Sequence, residues 1–133
     1  MSQYVALDLL NTSILNANKS IQSVAFINKM GRPIEKIFRP GFAKQFPDYM
    51  NEMFLMQCVL QISMGRDFDE SYGPINYHIS ERASLTTLTF PVDDNVILVT
   101  TNKNTSPITL ARKIVNIINE HRKNPFNEKA LLK

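Results

Sequence analysis

Apolar residues recur along the chain at two spacings, three-to-four and two, and the switches between them mark eight segments. Residues 2–16 place Val5, Leu9 and Ile14 on one side with Leu10 and Leu15 beside them, the pattern of a short amphipathic helix. Residues 20–28 have the β-branched and apolar make-up of a buried strand. Gly31 supplies a turn at 29–32, and 33–38 returns as the second strand of a hairpin, its Pro33 and Glu35/Lys36 pair suited to a sheet edge. A connection with two prolines, 39–47, leads to a helix over 48–64 that is expected to run past Gly65 into 67–70 and to stop at 71–74. Three strands follow. Segment 75–81 alternates Ile75, Tyr77 and Ile79 against Asn76, His78 and Ser80, 83–92 is rich in Thr and Leu, and 96–101 is the unbroken apolar run of a central strand. Pro107, with Ser106 as N-cap, opens the last helix, in which Ile108, Ala111, Val115 and Ile118 are expected inside, flanked by Leu110, Ile114 and Ile117. The prediction is an α+β fold, a five-stranded antiparallel sheet with helices in the order α-β-β-α-β-β-β-α. It forms one domain over 1–123 and leaves 124–133 as a tail.

The helix at 48–64 departs from the ordinary amphipathic pattern. One stripe runs Met50, Met53, Phe54, Gln57, Gln61, Met64 and a second runs Leu55, Met56, Val59, Ile62, with Cys58 and Leu60 between them. A surface helix shows one apolar stripe about 100° wide; this one is apolar on two sides. One side covers the domain's own core. The other either lies inside a monomer or meets a partner, and its methionines suit an adaptable contact.

Composition narrows the class. At 44% hydrophobic and 20% charged the chain reads as a globular protein, and no apolar run reaches the roughly 18 residues that span a bilayer, so no membrane insertion is expected. The first residues lack a signal-peptide pattern and the single Cys58 reads as a buried thiol, which together suggest a cytoplasmic location. The net charge of +3 hides segregation: residues 1–45 hold six Lys/Arg against two Asp/Glu, 46–100 hold two against eight, and 101–133 hold seven against two. No helix-turn-helix, RNP-like or zinc pattern accompanies the basic residues, so nucleic acid is not the expected partner. Solvated faces of opposite sign are the plain reading, and a dipolar surface steering a charged protein is the alternative.

Candidates for chemistry are few. His78 stands beside Ser80 at strand spacing, but no third group is placed to orient its imidazole. His121 falls in a last helical turn, where a cation complements the helix dipole. Asp67, Asp69 and Glu70 lack the Gly and closing Glu of a calcium loop and read as an acidic helix end. There is no nucleophile elbow, phosphate-binding glycine loop or metal-spaced Cys/His set, so no catalytic residue, cofactor or metal is assigned.

The element order, with a helix between a hairpin and a three-strand meander, resembles the Roadblock/dynein-light-chain domain. Val24-Ala25-Phe26-Ile27-Asn28 followed by Lys29-Met30-Gly31-Arg32-Pro33-Ile34 is similar to that family's hairpin, although many relatives have an acidic residue where Lys29 stands and a shorter connection than 39–47. A narrower resemblance, over about residues 20–120, is to an uncharacterised archaeal family found in ammonia-oxidising archaea. Phe26 to Arg32, Met53 to Gln57, Phe68-Asp69, Gly73 to Tyr77, Thr89 to Val92 and Lys113-Ile114 carry it. The wider resemblance implies a non-catalytic homodimer formed through the central helix and an adjacent strand, acting as an adaptor or regulator for a small GTPase or another signalling protein. On that reading Met50, Met53, Phe54, Gln57, Gln61 and Met64, with Tyr77 and Ile79 from the neighbouring strand, form the dimer interface. Two rivals stand. One is a small-molecule-sensing module binding a ligand between sheet and helix, with Phe26, Phe38, Phe42 and Phe90 as lining or core. The other is a divergent hydrolase resting on His78 alone.

Overall fold

The computed structural model of the chain describes residues 3–41, 48–102 and 106–123, with side chains from Ala6 in the first segment and from Asn51 in the second. Helix α1 (Gln3–Leu15) leads into β1 (Ile21–Ile27) and β2 (Pro33–Phe38). Helix α2 (Asp48–Gly65) continues through a 3₁₀ turn (Arg66–Phe68) into one turn of helix, α3 (Asp69–Tyr72). Strands β3 (His78–Glu81), β4 (Thr86–Val92) and β5 (Asn95–Thr101) precede α4 (Pro107–Lys123). The strands make one antiparallel sheet in the order β2-β1-β5-β4-β3, so the most apolar strand lies at its centre, as its sequence requires.

The sheet divides the interior in two. On one face, Val24 and Phe26 of β1, Leu88 and Phe90 of β4, and Ile97 and Val99 of β5 pack against Leu7, Leu10 and Ile14 of α1 and Leu110, Ala111 and Ile114 of α4. On the other, Ile27, Val96 and Leu98 meet Cys58, Val59 and Ile62 of α2. The second face is apolar only at one end. Ile27 opposes Val96 and Ala25 opposes Leu98. Further along, Ser23, Thr100, Thr87 and Ser80 stand opposite one another across four strands, and the Ser23 and Thr100 hydroxyls share a 2.6 Å hydrogen bond. A helix gains burial energy over the apolar rows alone. α2 packs there.

Two polar devices fix the periphery. The Arg39 guanidinium donates from Nε to Ile21 O at 2.7 Å and from Nη2 to Leu15 O at 2.7 Å and Asn18 O at 3.0 Å. It thus supplies a donor to the last carbonyl of α1 and ties the α1–β1 connection to the start of β1, and Lys113 Nζ adds a bond to Ala17 O at 2.8 Å. Asn11, fully buried on α1, donates to Glu35 O of β2 at 3.2 Å.

The β1–β2 turn sits directly on α2. Gly31 has φ +79°, and a Cβ there would stand 3.3 Å from Met56 Cα and 2.9 Å from its Cε. Gly31→Ala therefore meets both a left-handed backbone penalty and a crowded helix. A loss of about 1–3 kcal/mol is expected, read as a lowered urea midpoint.

Three expectations are corrected. The strand foreseen over 75–81 is a ladder only from His78. Ile75 turns to the α2 side, its Cδ1 filling the space where a Cβ on Gly65 would be, whereas Tyr77 and Ile79 pack on the opposite face. Packing against α2 thus breaks the alternation, and the stretch of β4 beyond the ladder contains Pro91, which has no N–H to offer. Ile108 is 53% exposed; the inner face of α4 is Leu110, Ala111, Ile114 and Ile118, with Val115 and Ile117 half-buried at its margins. On α1 the buried line includes Leu7 and Leu10, while Leu9 is half-buried. Val5 and Phe42 lie outside the described side chains, and 124–133 lies outside the described residues.

Candidate functional site

The two faces of α2 separate cleanly in space. Leu55, Cys58, Val59 and Ile62 point to the sheet. Met53, Gln57, Gln61 and Met64 point away from it and are exposed, and Leu60 joins them at 49% exposure. Of the residues expected outside, Phe54 belongs with the inner set, half-buried against the α2-side core. Met50 lies on α2 but outside the described side chains. Tyr77 and Ile79 are half-buried on the far face of the sheet, the Tyr77 ring 6.2 Å from that of Phe90. What β3 turns toward the α2 side is His78 and Ser80.

The exposed stripe is longer than α2. Phe68 and Tyr72, on the 3₁₀ turn and α3, are 60% and 85% exposed, with ring centroids 6.5 Å apart. Met53, Leu60 and Met64 share the outward side of α2, and Phe68 and Tyr72 extend the run of exposed apolar residues along the chain, with Met30 of the β1–β2 turn, 62% exposed, a further one. Phe68 and Tyr72 were legible at steps of four from Met64. The 3₁₀ turn between them and α2 was not.

Cys58 is 5% exposed and burial pushes its thiol up to about 11, against a smaller opposing pull from the Arg82 cation. At pH 8 the native chain should alkylate about 100-fold more slowly than the urea-unfolded chain, from thiolate fraction alone. The folded thiol holds its proton where the unfolded one has lost it, so stability should fall as pH rises from about 9 to 11, by about 2–3 kcal/mol in total. Cys58→Ala should flatten that slope. His78 Nε2 and Thr89 Oγ1, on paired residues of β3 and β4, are buried without hydrogen-bond partners. Among the described residues no three of His, Cys, Asp and Glu gather as metal ligands would, and no helix is long and apolar enough to cross a membrane.

Beyond the end of α2, charged groups from three elements meet. The β4–β5 turn at Asp93-Asp94 is held from both sides of the sheet. Arg66 donates to Asp93 O and approaches Asp94 Oδ1 at 3.7 Å, and Arg122 of α4 contacts Asp93 Oδ1 at 2.5 Å. Asp93 itself has φ +56°, a conformation Asp tolerates better than most residues. These ion pairs are solvent-exposed and contribute little energy; they set the position of the turn.

No protein-family model and no curated protein matches the sequence. Solved structures do. MglB of Myxococcus xanthus superposes with a TM-score of 0.67 at 13% identity, over 95% of this chain and 98% of that one. A Roadblock/LC7 domain from Streptomyces avermitilis gives 0.65 at 10% identity, over 90% and 97%. This chain has the Roadblock/LC7 fold. An MglB solved in a tetrameric arrangement shares it, with a TM-score of 0.62 at 8% identity over 90% and 93%. Within that fold the exposed α2 stripe is a property of this chain's own residues, since at these identities the likeness is one of architecture.

Proposed function

We propose that the chain is a non-catalytic adaptor or regulator that dimerises with itself through the outward face of α2. The observation that carries this reading is the exposed apolar run Met53, Leu60, Met64, Phe68, Tyr72, which the domain's own core leaves uncovered. The α2 part of the run is also self-complementary. Two copies of α2 crossing antiparallel at the level of Val59 would set Met53 against Met64 and Gln57 against Gln61. Phe68 would then reach the level of Met50. Beside this contact β3 is an open sheet edge, whose backbone groups give a second strip for pairing.

The resemblance to Roadblock domains points to a small GTPase or another signalling protein as the partner of the assembled dimer. The test begins with molar mass by light scattering over a concentration series. A stable mass near twice 15.2 kDa is expected. A monomer at every concentration would overturn the proposal. With the dimer in hand, a pull-down against GDP- and GTP-loaded GTPases asks whether nucleotide state matters.

A further inference from the structure

Between the C-terminal ends of α2 and α4, at the sheet edge where residues 74–76 cross toward β3, lies a cleft of about 330 Å³. Its size falls in the range of small-molecule sites. Ile62 and Ile75 line it from the α2 side and Phe90 and Ile118 from the α4 side, and Arg66, Asp69 and Arg122 add charged groups to the lining. Asp69 is partly buried in the lining, and its Oδ1 has no hydrogen-bond partner, an arrangement that costs free energy. Arg122 gives one nitrogen to Asp93, and a guanidinium carries five N–H donors. Arg66 and Arg122 balance Asp69 and Asp93, so the lining has no net charge while presenting both signs.

We propose that this cleft binds a free α-amino acid with an apolar side chain. The ammonium donates to Asp69, the carboxylate accepts from Arg122, and the side chain lies among Ile62, Ile75, Phe90 and Ile118. A plain amine satisfies Asp69 and leaves the guanidinium unused. A plain carboxylic acid does the reverse and meets Asp69 as a like charge. A ligand of zero net charge carrying both groups offers a partner to each. The site does not depend on dimerisation.

The experiment is thermal unfolding and calorimetric titration of the full chain with L-leucine and L-phenylalanine. Glycine, 3-methylbutylamine and 4-methylpentanoate serve as comparisons, lacking the side chain, the carboxylate and the ammonium of leucine respectively. A saturable rise in Tm with leucine or phenylalanine is expected, with each truncated compound at least about tenfold weaker. Asp69→Asn should weaken the amino acid at least about tenfold without weakening 4-methylpentanoate. Asn119→Trp, at an exposed position on the rim, should abolish binding and leave the Tm of the free protein unchanged. No rise with either amino acid at roughly 10 mM overturns the proposal. So does a rise that survives both substitutions, or one matched by 3-methylbutylamine.

Discussion

Leu60→Asp is expected to leave a folded monomer. Leu60 is about half-exposed on the outward side of α2, so a carboxylate there still reaches water in the isolated chain and should lower its fold stability by only about 1–2 kcal/mol, from lost partial burial and helix propensity. In a two-fold dimer each residue of the stripe is used twice. Burying a fully exposed Leu contributes about 1.5–3 kcal/mol, and Leu60 is already about half-buried in the monomer, so losing two of them weakens association by roughly 1.5–3 kcal/mol, or about 10- to 10²-fold in Kd, before the added cost of burying two carboxylates. Sedimentation or light scattering reads the change in mass, and circular dichroism checks the fold. A charge at Phe54 is not an equivalent test, because that ring is half-buried in the α2-side core and its loss would unsettle the monomer. If Leu60→Asp remains dimeric, the interface lies elsewhere. Phe68→Ala and Tyr72→Ala provide graded companions at the end of the same run.

Arg39→Met should destabilise the monomer by about 2–4 kcal/mol. Methionine keeps an apolar stem of similar length but removes three bonds to main-chain carbonyls, and a hydrogen bond to a charged group contributes roughly 1.5–3 kcal/mol with incomplete additivity. The carbonyls left behind, at the end of α1 and the start of β1, are partly buried and recover little from water. Arg39→Lys should restore less than half, since one ammonium cannot reach three acceptors in the fork geometry that a guanidinium presents. Urea unfolding gives the result directly. An unchanged midpoint in Arg39→Met would mean that the clasp orders the chain without stabilising it.

Much of this architecture was legible along the chain. The β2 segment and the start of α4 follow from Pro33 and Pro107, the central place of β5 from its unbroken apolar run, and the two-sided character of α2 from its composition. Each of these rests on local chemistry, a fixed φ or a periodicity, that a short window contains. The errors fell where packing overrode the period. Ile75 has the alternation of a strand residue, but Gly65 offers a hole on α2 that fits its side chain. Ile108 has the right spacing for the core, but in the first turn of α4 it stays exposed. Phe54 has the spacing of the outer stripe and turns inward.

What the sequence determined by itself is the set of elements, their order, and the surplus of apolar surface on one helix. Tertiary structure decided which part of that surplus is free. It placed α2 over the apolar end of the sheet rather than the hydroxyl end, and it followed α2 with a 3₁₀ turn and left Phe68 and Tyr72 exposed. It also brought Asp69 and Arg122, 53 positions apart, into one cleft. Periodicity is a property of neighbours in the chain, whereas burial depends on what the rest of the chain leaves uncovered.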